Sequence, residues 1–210
     1  MLNTILQEVQ EGADETGEEL GTEIGGNDQT QVRDELKPLY EKIKSAWFND
    51  GEMIQWWSPH SRFVLYPERL KVSKSMKQLF RKNAFEVTVN KAFEEVVRNC
   101  STAKRRDQPG TWITESMVNG YSRLHEQGLA KSVEVWQNSE LVGGLYGVDL
   151  GNGVFCGESM FSLMSNASKL ALIHLVENHN YKLIDCQMYT DHLASLGAKE
   201  ISRELFLEML

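Results

Sequence analysis

Cysteine is scarce and unpatterned. Cys100, Cys156 and Cys186 are the only three in the chain, and they are widely spaced and lack any C-x-x-C. That excludes a disulfide framework and a zinc site, and predicts reduced, buried thiols. No apolar run approaches the roughly 20 residues of a membrane span. Positive charge is absent before Arg33. Met1 to Val9 has neither a basic start nor an unbroken apolar stretch, so no secretory leader and no membrane partner are expected, and a cytoplasmic location follows. Four signatures are also missing: the G-x-x-x-x-G-K-[ST] phosphate loop, G-x-G-x-x-G between strand and helix, H-E-x-x-H and G-x-S-x-G. Their absence disfavours ATP use, hydride transfer, zinc hydrolysis and serine acyl chemistry.

What is present is ordinary in bulk and uneven in detail. The 210 residues are 41% hydrophobic and 25% charged, the range of a soluble chain with one domain, or one large domain and a small one. The net charge of -8 is not spread evenly. Residues 61–106 hold 12 Lys and Arg against 4 Asp and Glu, between flanks that are strongly acidic. A basic block of this kind either docks one polyanion in one place or forms a solvated helix face.

Residues 1–30 are rich in Glu, Gly, Thr and Gln and lack aromatics, which reads as an acidic, weakly ordered lead-in. Asp34 to Phe48 carries apolar residues at helical steps, and Arg62 to Leu65 reads as a short strand. Lys74 to Lys82, Ala92 to Cys100 and Glu115 to Gln127 read as helices, the last stopped by Gly128. From Ser132 the pattern turns to strands: Ser132 to Trp136, Leu141 to Val148 and Val154 to Cys156 form an antiparallel meander. A helix capped by Ser165 or Asn166 runs to about Asn178. Tyr181 to Gln187 returns as a strand, and Ser202 to Leu210 closes as a helix. This is an α+β arrangement. It divides into an acidic N-terminal segment (1–46), a linking portion with a basic helix (47–109) and a catalytic domain (110–210).

The chemistry-bearing residues sit at apolar strand ends. Phe155-Cys156-Gly157-Glu158-Ser159-Met160-Phe161 sets a carboxylate and a hydroxyl between large hydrophobes, and Leu183-Ile184-Asp185-Cys186-Gln187 ends a buried run in a carboxylate and an amide. Buried carboxylates are expensive unless paired or functional. Asp185 and Glu158 are therefore either site residues or groups that simply cap loops or pair with Lys169 and Lys182. Trp56, Trp57 and Trp112 serve as core aromatics or as stacking platforms for nucleobases. The five histidines show no ligand spacing, and no metal or cofactor is expected.

These runs also resemble a known family. Trp56-Trp57-Ser58-Pro59, Gly110-Thr111-Trp112-Ile113-Thr114, Ser132-Val133-Glu134-Val135-Trp136, Gly143-Gly144-Leu145-Tyr146-Gly147, the Phe155 and Leu183 runs, Asn166-Ala167-Ser168-Lys169 and His192-Leu193-Ala194-Ser195-Leu196-Gly197-Ala198 occur in the order found in bacterial leucyl/phenylalanyl-tRNA-protein transferases. The resemblance spans residues 47–210. It implies an acetyltransferase-like (GNAT) domain with a mixed sheet and helices. It also implies transfer of Leu, Phe or Met from aminoacyl-tRNA to proteins with an N-terminal Lys or Arg, which marks them for degradation. By the same resemblance, Asp185 orients the amine or accepts its proton with Gln187 as a hydrogen-bonding relay, and Trp47 and Trp112 contact the terminal adenosine. Glu158, the third catalytic candidate, is read from its own surroundings as holding the acceptor's amine or basic side chain. Leu145, Phe155, Met160 and Ile184 surround the donor side chain. Lys74, Lys77, Arg81 and Lys82, within one broad helix face, would track tRNA phosphates. In residues 1–46 the chain departs from the family: only Tyr40 of its motif positions is kept there, and Lys44-Ser45-Ala46 replaces Ile-Phe-Pro. A CoA-dependent acetyltransferase would share the fold but needs a [QR]-x-x-G-x-[GA] loop that Ser162 to Lys169 does not supply. The same residues are also compatible with a tRNA-binding regulatory protein and with a purely structural domain.

Overall fold

The computed structural model describes residues 46–47, 55–56, 61–82, 84–103 and 113–210. Residues 1–45, with the expected lead-in, lie outside it, as do Trp57, Trp112 and the run from Lys104 to Arg106. At the end of the helix expected over Asp34 to Phe48 the structure differs: β1 (Ala46–Trp47) is a strand, paired antiparallel with β2 (Gln55–Trp56).

The main body is a seven-stranded mixed sheet. In chain order its elements are β3 (Ser61–Leu65), α1 (Lys74–Arg81), β4 (Glu86–Val89), α2 (Phe93–Thr102), α3 (Glu115–Glu126), β5 (Ala130–Gln137), β6 (Glu140–Asp149), β7 (Val154–Ser162), α4 (Ala167–Asn178), β8 (Leu183–Asp185), α5 (Asp191–Ser195), β9 (Lys199–Ser202) and α6 (Arg203–Leu207). The strand order is β4-β5-β6-β7-β8-β3-β9. The β5-β6-β7 meander is antiparallel, and β7 to β8, joined through α4, is the parallel pair. β3, made early, inserts between β8 and β9 and runs antiparallel to both. The α+β expectation therefore holds, and the sheet draws two strands, β3 and β4, from the portion read as linking.

Each sheet face buries its own core. On one face Val64, Tyr146, Val148, Cys156 and Phe161 meet α2, α3 and α6 through Phe93, Val96, Met117 and Phe206. On the other, Phe63, Leu65, Val133, Leu145, Phe155 and Ile184 meet α4 through Leu170 and Ile173. Strands covered on both faces read as continuous apolar runs, as Phe63-Val64-Leu65 does. The helix ends follow local chemistry. Ser73 and Thr114 accept from backbone N–H groups three residues on, satisfying donors that the helix leaves orphaned. After α3, Gly128 takes φ 75° and Leu129 N–H reaches back to Leu124 O at 2.9 Å, a glycine-terminated stop.

Several boundaries move. β7 continues past Cys156 to Ser162 because β6 pairs with it through Ser159, Met160 and Phe161. The strand expected over Tyr181 to Gln187 is only Leu183–Asp185, since Gln187 adopts φ 64°. Asn166 precedes α4 at φ 71° without a side-chain cap bond. β4, α5 and β9 are additional, and the C-terminal helix is shortened to α6 with Ser202 as its cap. Cys100 and Cys156 are buried and Cys186 half-buried, all three as free thiols. Among the described residues no helix is long and apolar enough to cross a membrane.

Candidate active site

The site forms where the parallel pair separates. β7 and β8 share three rungs, ending at Cys156 opposite Asp185. On the other side of β7 the pairing slips: Tyr146 faces Ser159 and Gly147 faces Gly157, so Glu158 is the extra, unpaired residue of a bulge. Bulges re-aim side chains and occur beside active sites. Gly147 permits this one, because a Cβ there would stand 2.2 Å from Cys156 O and 2.7 Å from the Phe155 ring.

Gln187 spans the gap. Its Nε2 donates to Gly157 O at 2.9 Å and to Glu158 Oε2 at 3.2 Å. Its backbone is a three-residue turn, with Met188 N–H donating to Cys186 O at 2.8 Å across the positive φ of Gln187. That conformation is strained for a non-glycine residue and needs support from around it. Asp185 supplies the support: Oδ1 accepts from Gln187 N–H at 2.9 Å. β3 pins the segment from its other side through Phe63 N–H to Gln187 O at 3.2 Å and Cys186 N–H to Phe63 O at 2.8 Å.

The two carboxylates thus differ in environment. Asp185 is fully buried and pairs with the Arg62 guanidinium, itself 2% exposed. Its ion-pair partner is Arg62 in place of Lys169 or Lys182, while its other oxygen caps the Gln187 turn, so both oxygens are engaged. Glu158 is half-buried. Burial pushes its carboxyl up to about 7 and the Asp185 charge adds to the rise, while hydrogen bonds from Tyr121 and Gln187 and the charge of Arg62 oppose it. A carboxyl poised there exchanges a proton near neutrality. The flanking thiols are not poised: burial pushes both Cys156 and Cys186 up.

Leu145, Phe155, Met160 and Ile184 come together on one sheet face. Leu145 is opposite Met160, and Phe155 is opposite Ile184. Three are 1% to 3% exposed and only Met160 is half-buried, so Met160 is the wall with room to move. Lys74, Lys77, Arg81 and Lys82 are all exposed on or just beyond α1, which seats Met76, Leu79 and Phe80 against the core. Trp47 lies in β1 with its side chain outside the described residues, where Trp112 also falls.

The sequence pattern alone does not single out Arg62, Tyr121 or Glu134. Glu134, fully buried in β5, accepts from Ser132 Oγ and Thr88 Oγ1 at 2.5 Å each and from Lys91 N–H at 3.3 Å. The Thr88 bond ties β4 to β5. Among the described residues no group of three His, Cys, Asp or Glu side chains is arranged to hold a metal ion.

A model of the family described as leucyl/phenylalanyl-tRNA protein transferase matches residues 64–210. Leucyl/phenylalanyl-tRNA–protein transferases of Flavobacterium johnsoniae and Flavobacterium psychrophilum are 55% identical over 178 residues and 54% identical over 190. The first match covers 83% of this chain and 84% of that protein, the second 89% and 88%. The Nitrosospira multiformis protein of the same name is 56% identical over 178 residues, 83% of this chain and 76% of its own. Among solved structures, a GCN5-related N-acetyltransferase from Kribbella flavida is similar at a TM-score of 0.41 and 14% identity, over 67% of this chain and 53% of that one.

Proposed function

The chain belongs to the leucyl/phenylalanyl-tRNA protein transferase family, and from that premise we propose that it moves Leu, Phe or Met from aminoacyl-tRNA onto proteins with an N-terminal Lys or Arg, marking them for degradation. The observation that carries the mechanism is Glu158, a bulge residue whose carboxyl is pushed up to about 7 at the mouth of the separated strands.

An aminoacyl ester is already activated, so the step needs only alignment and proton handling. The acceptor α-amine has an ordinary pKa of about 7.7 to 8.0, which leaves roughly a tenth neutral at pH 7. The neutral nitrogen attacks the ester carbonyl carbon, the C–N bond forms and the ester C–O bond breaks. The proton shed by nitrogen passes through Glu158 to the departing 3′-oxygen of the tRNA. Asp185, with both oxygens held, acts as the orienting group, and Gln187 fixes the Glu158 carboxylate. Holding amine and ester in line contributes most of the rate.

For the donor, Leu145, Phe155 and Ile184 form an apolar floor and Met160 the adaptable wall, which admits Leu, Phe and Met. Trp47 and Trp112, by family resemblance, take the terminal adenosine, where stacking is worth about 1 to 3 kcal/mol per base. The exposed basic face of α1 would track phosphates without reading sequence. Replacing Lys74 and Arg81 together by Ala is expected to weaken binding of unrelated tRNAs equally and to lower the salt slope by roughly two contacts. Filter binding across a salt series checks this.

The proposed activity is tested by transfer of labelled Leu from Leu-tRNA to a protein with N-terminal Arg, run without CoA. Transfer that depends on the N-terminal Arg supports it. Absence of labelled Leu on the acceptor, or a parallel reaction in which acetyl-CoA acetylates the acceptor while Leu-tRNA transfers nothing, would overturn it.

A further inference from the structure

We infer that Arg62 is a positioning residue for the transfer step, acting through Asp185 and Gln187 on Glu158 without touching substrate. The inference rests on the proposed transfer activity and adds to it a residue in β3, 123 positions from its partner.

The chain of contacts is continuous. Arg62 stacks on the Phe206 ring of α6, its Cζ 5.0 Å from the ring centroid, and both side chains are at most 2% exposed. From its place over the ring Arg62 binds Asp185 Oδ2. Asp185 is thereby fixed with Oδ1 on Gln187 N–H. That bond holds the left-handed turn, and the turn directs the Gln187 amide onto Gly157 O and Glu158 Oε2. A buried ion pair adds little to stability when a well-packed apolar pair would serve as well. Here the pair holds a strained turn that an apolar pair has no means of holding. The geometry uses one guanidinium N–H on Asp185 Oδ2 and the planar cation over the Phe206 ring, which a lysine ammonium does not reproduce together.

Arg62 also sets the field at Glu158. The charged and titratable groups facing that carboxylate are Tyr121 from α3, Asp185 from β8, Arg62 from β3 and Cys156 from its own strand, with the Gln187 amide beside them. Removing the Arg62 charge leaves Asp185 as the dominant neighbour, which disfavours ionisation of Glu158.

The test uses the full chain with Leu-tRNA and an acceptor protein bearing N-terminal Arg. Arg62→Lys keeps the charge and loses the planar guanidinium that lies over Phe206 while binding Asp185. It is expected to lower kcat by about tenfold or more, with KM for both substrates within about twofold. Arg62→Gln removes the charge and is expected to move the acid limb of the pH profile of kcat/KM upward. Phe206→Leu keeps Arg62 and loses the stack, and is expected to lower kcat in the same direction, by less. If Arg62→Gln fails to fold, the Lys and Leu variants decide. Unchanged kcat in Arg62→Lys and Phe206→Leu, each folded by thermal unfolding, overturns the inference. So does a loss confined to KM. Wild-type protein that transfers no Leu overturns the proposed function instead, so the two failures are distinguishable.

Discussion

Glu158→Gln is expected to lower kcat at pH 7 by about a hundredfold, the size typical of a lost general base, while aminoacyl-tRNA affinity stays within about twofold. The amide keeps the shape and can still accept from Gln187 and Tyr121, but it cannot take up a proton. The pH profile makes the prediction sharper. On the proposed path, transfer requires two groups to lose protons, the acceptor amine and Glu158. Below pH 7, log kcat/KM should therefore rise with a slope approaching two, and in Glu158→Gln with a slope of one. A slope of two in the variant would remove Glu158 from the proton path.

The same group affects stability with a defined sign. Its folded value, about 7, lies above the ordinary 4.5, so the native state holds a proton that the unfolded chain has released. The resulting stabilisation is complete below about pH 4.5 and is lost as pH rises through about 7. In Glu158→Gln this component vanishes, and Tm should fall less between pH 5 and pH 8 than in the wild type.

The second large effect is expected at Gly147. Gly147→Ala places a methyl group 2.2 Å from Cys156 O and 2.7 Å from Phe155 Cε1 and Cζ. Neither neighbour can yield cheaply. The carbonyl belongs to β7 at its last rung with β8, and the Phe155 ring is 1% exposed and packs against Tyr181. Overpacking of this kind costs about 1 to 3 kcal/mol or more, equivalent to a Tm loss of roughly 2 to 12 °C for a chain of this size. Because the strain falls on the bulge that presents Glu158, transfer should drop further than the folded fraction does. Thermal unfolding and single-turnover transfer on the same samples check both parts, and an unshifted Tm would show that the strands separate without cost.

Much of the candidate site is legible because its polar residues interrupt apolar runs. Glu158 between Cys156 and Met160, and Asp185 after Leu183-Ile184, stand out on that ground alone. Arg62 did not, since an arginine at the start of a four-residue strand reads as a solvent-facing end. The available signal was its phase: Phe63-Val64-Leu65 is apolar on both faces, so a side chain two positions from Val64 lies on a covered face and needs an acid. Glu134 is hidden for the same reason. Ser132-Val133-Glu134-Val135 alternates as a strand with one wet face does, yet α2 covers that face and hydroxyls replace water. The short strands β4 and β9 have only four residues each, too few for a period of two to emerge beside charged turns. The left-handed turn at Gln187 has no local signal, because glutamine is not a turn former and long-range bonds hold it there.

The insertion of β3 between β8 and β9 has a kinetic consequence. Val64 pairs with Asp185 and Ser61 with Ser202, so a strand emerging early in synthesis waits for both neighbours until more than a hundred further residues have been made. Contacts of such separation close late and slow folding. Until then Asp185 has yet to be synthesised and Phe63 and Leu65 lack their β8 and β9 neighbours, which leaves apolar surface of the nascent chain exposed to aggregation. The two ladders that complete the sheet also assemble the Asp185 turn. Folding and the appearance of transfer activity should therefore follow one time course, with no active intermediate ahead of the native state.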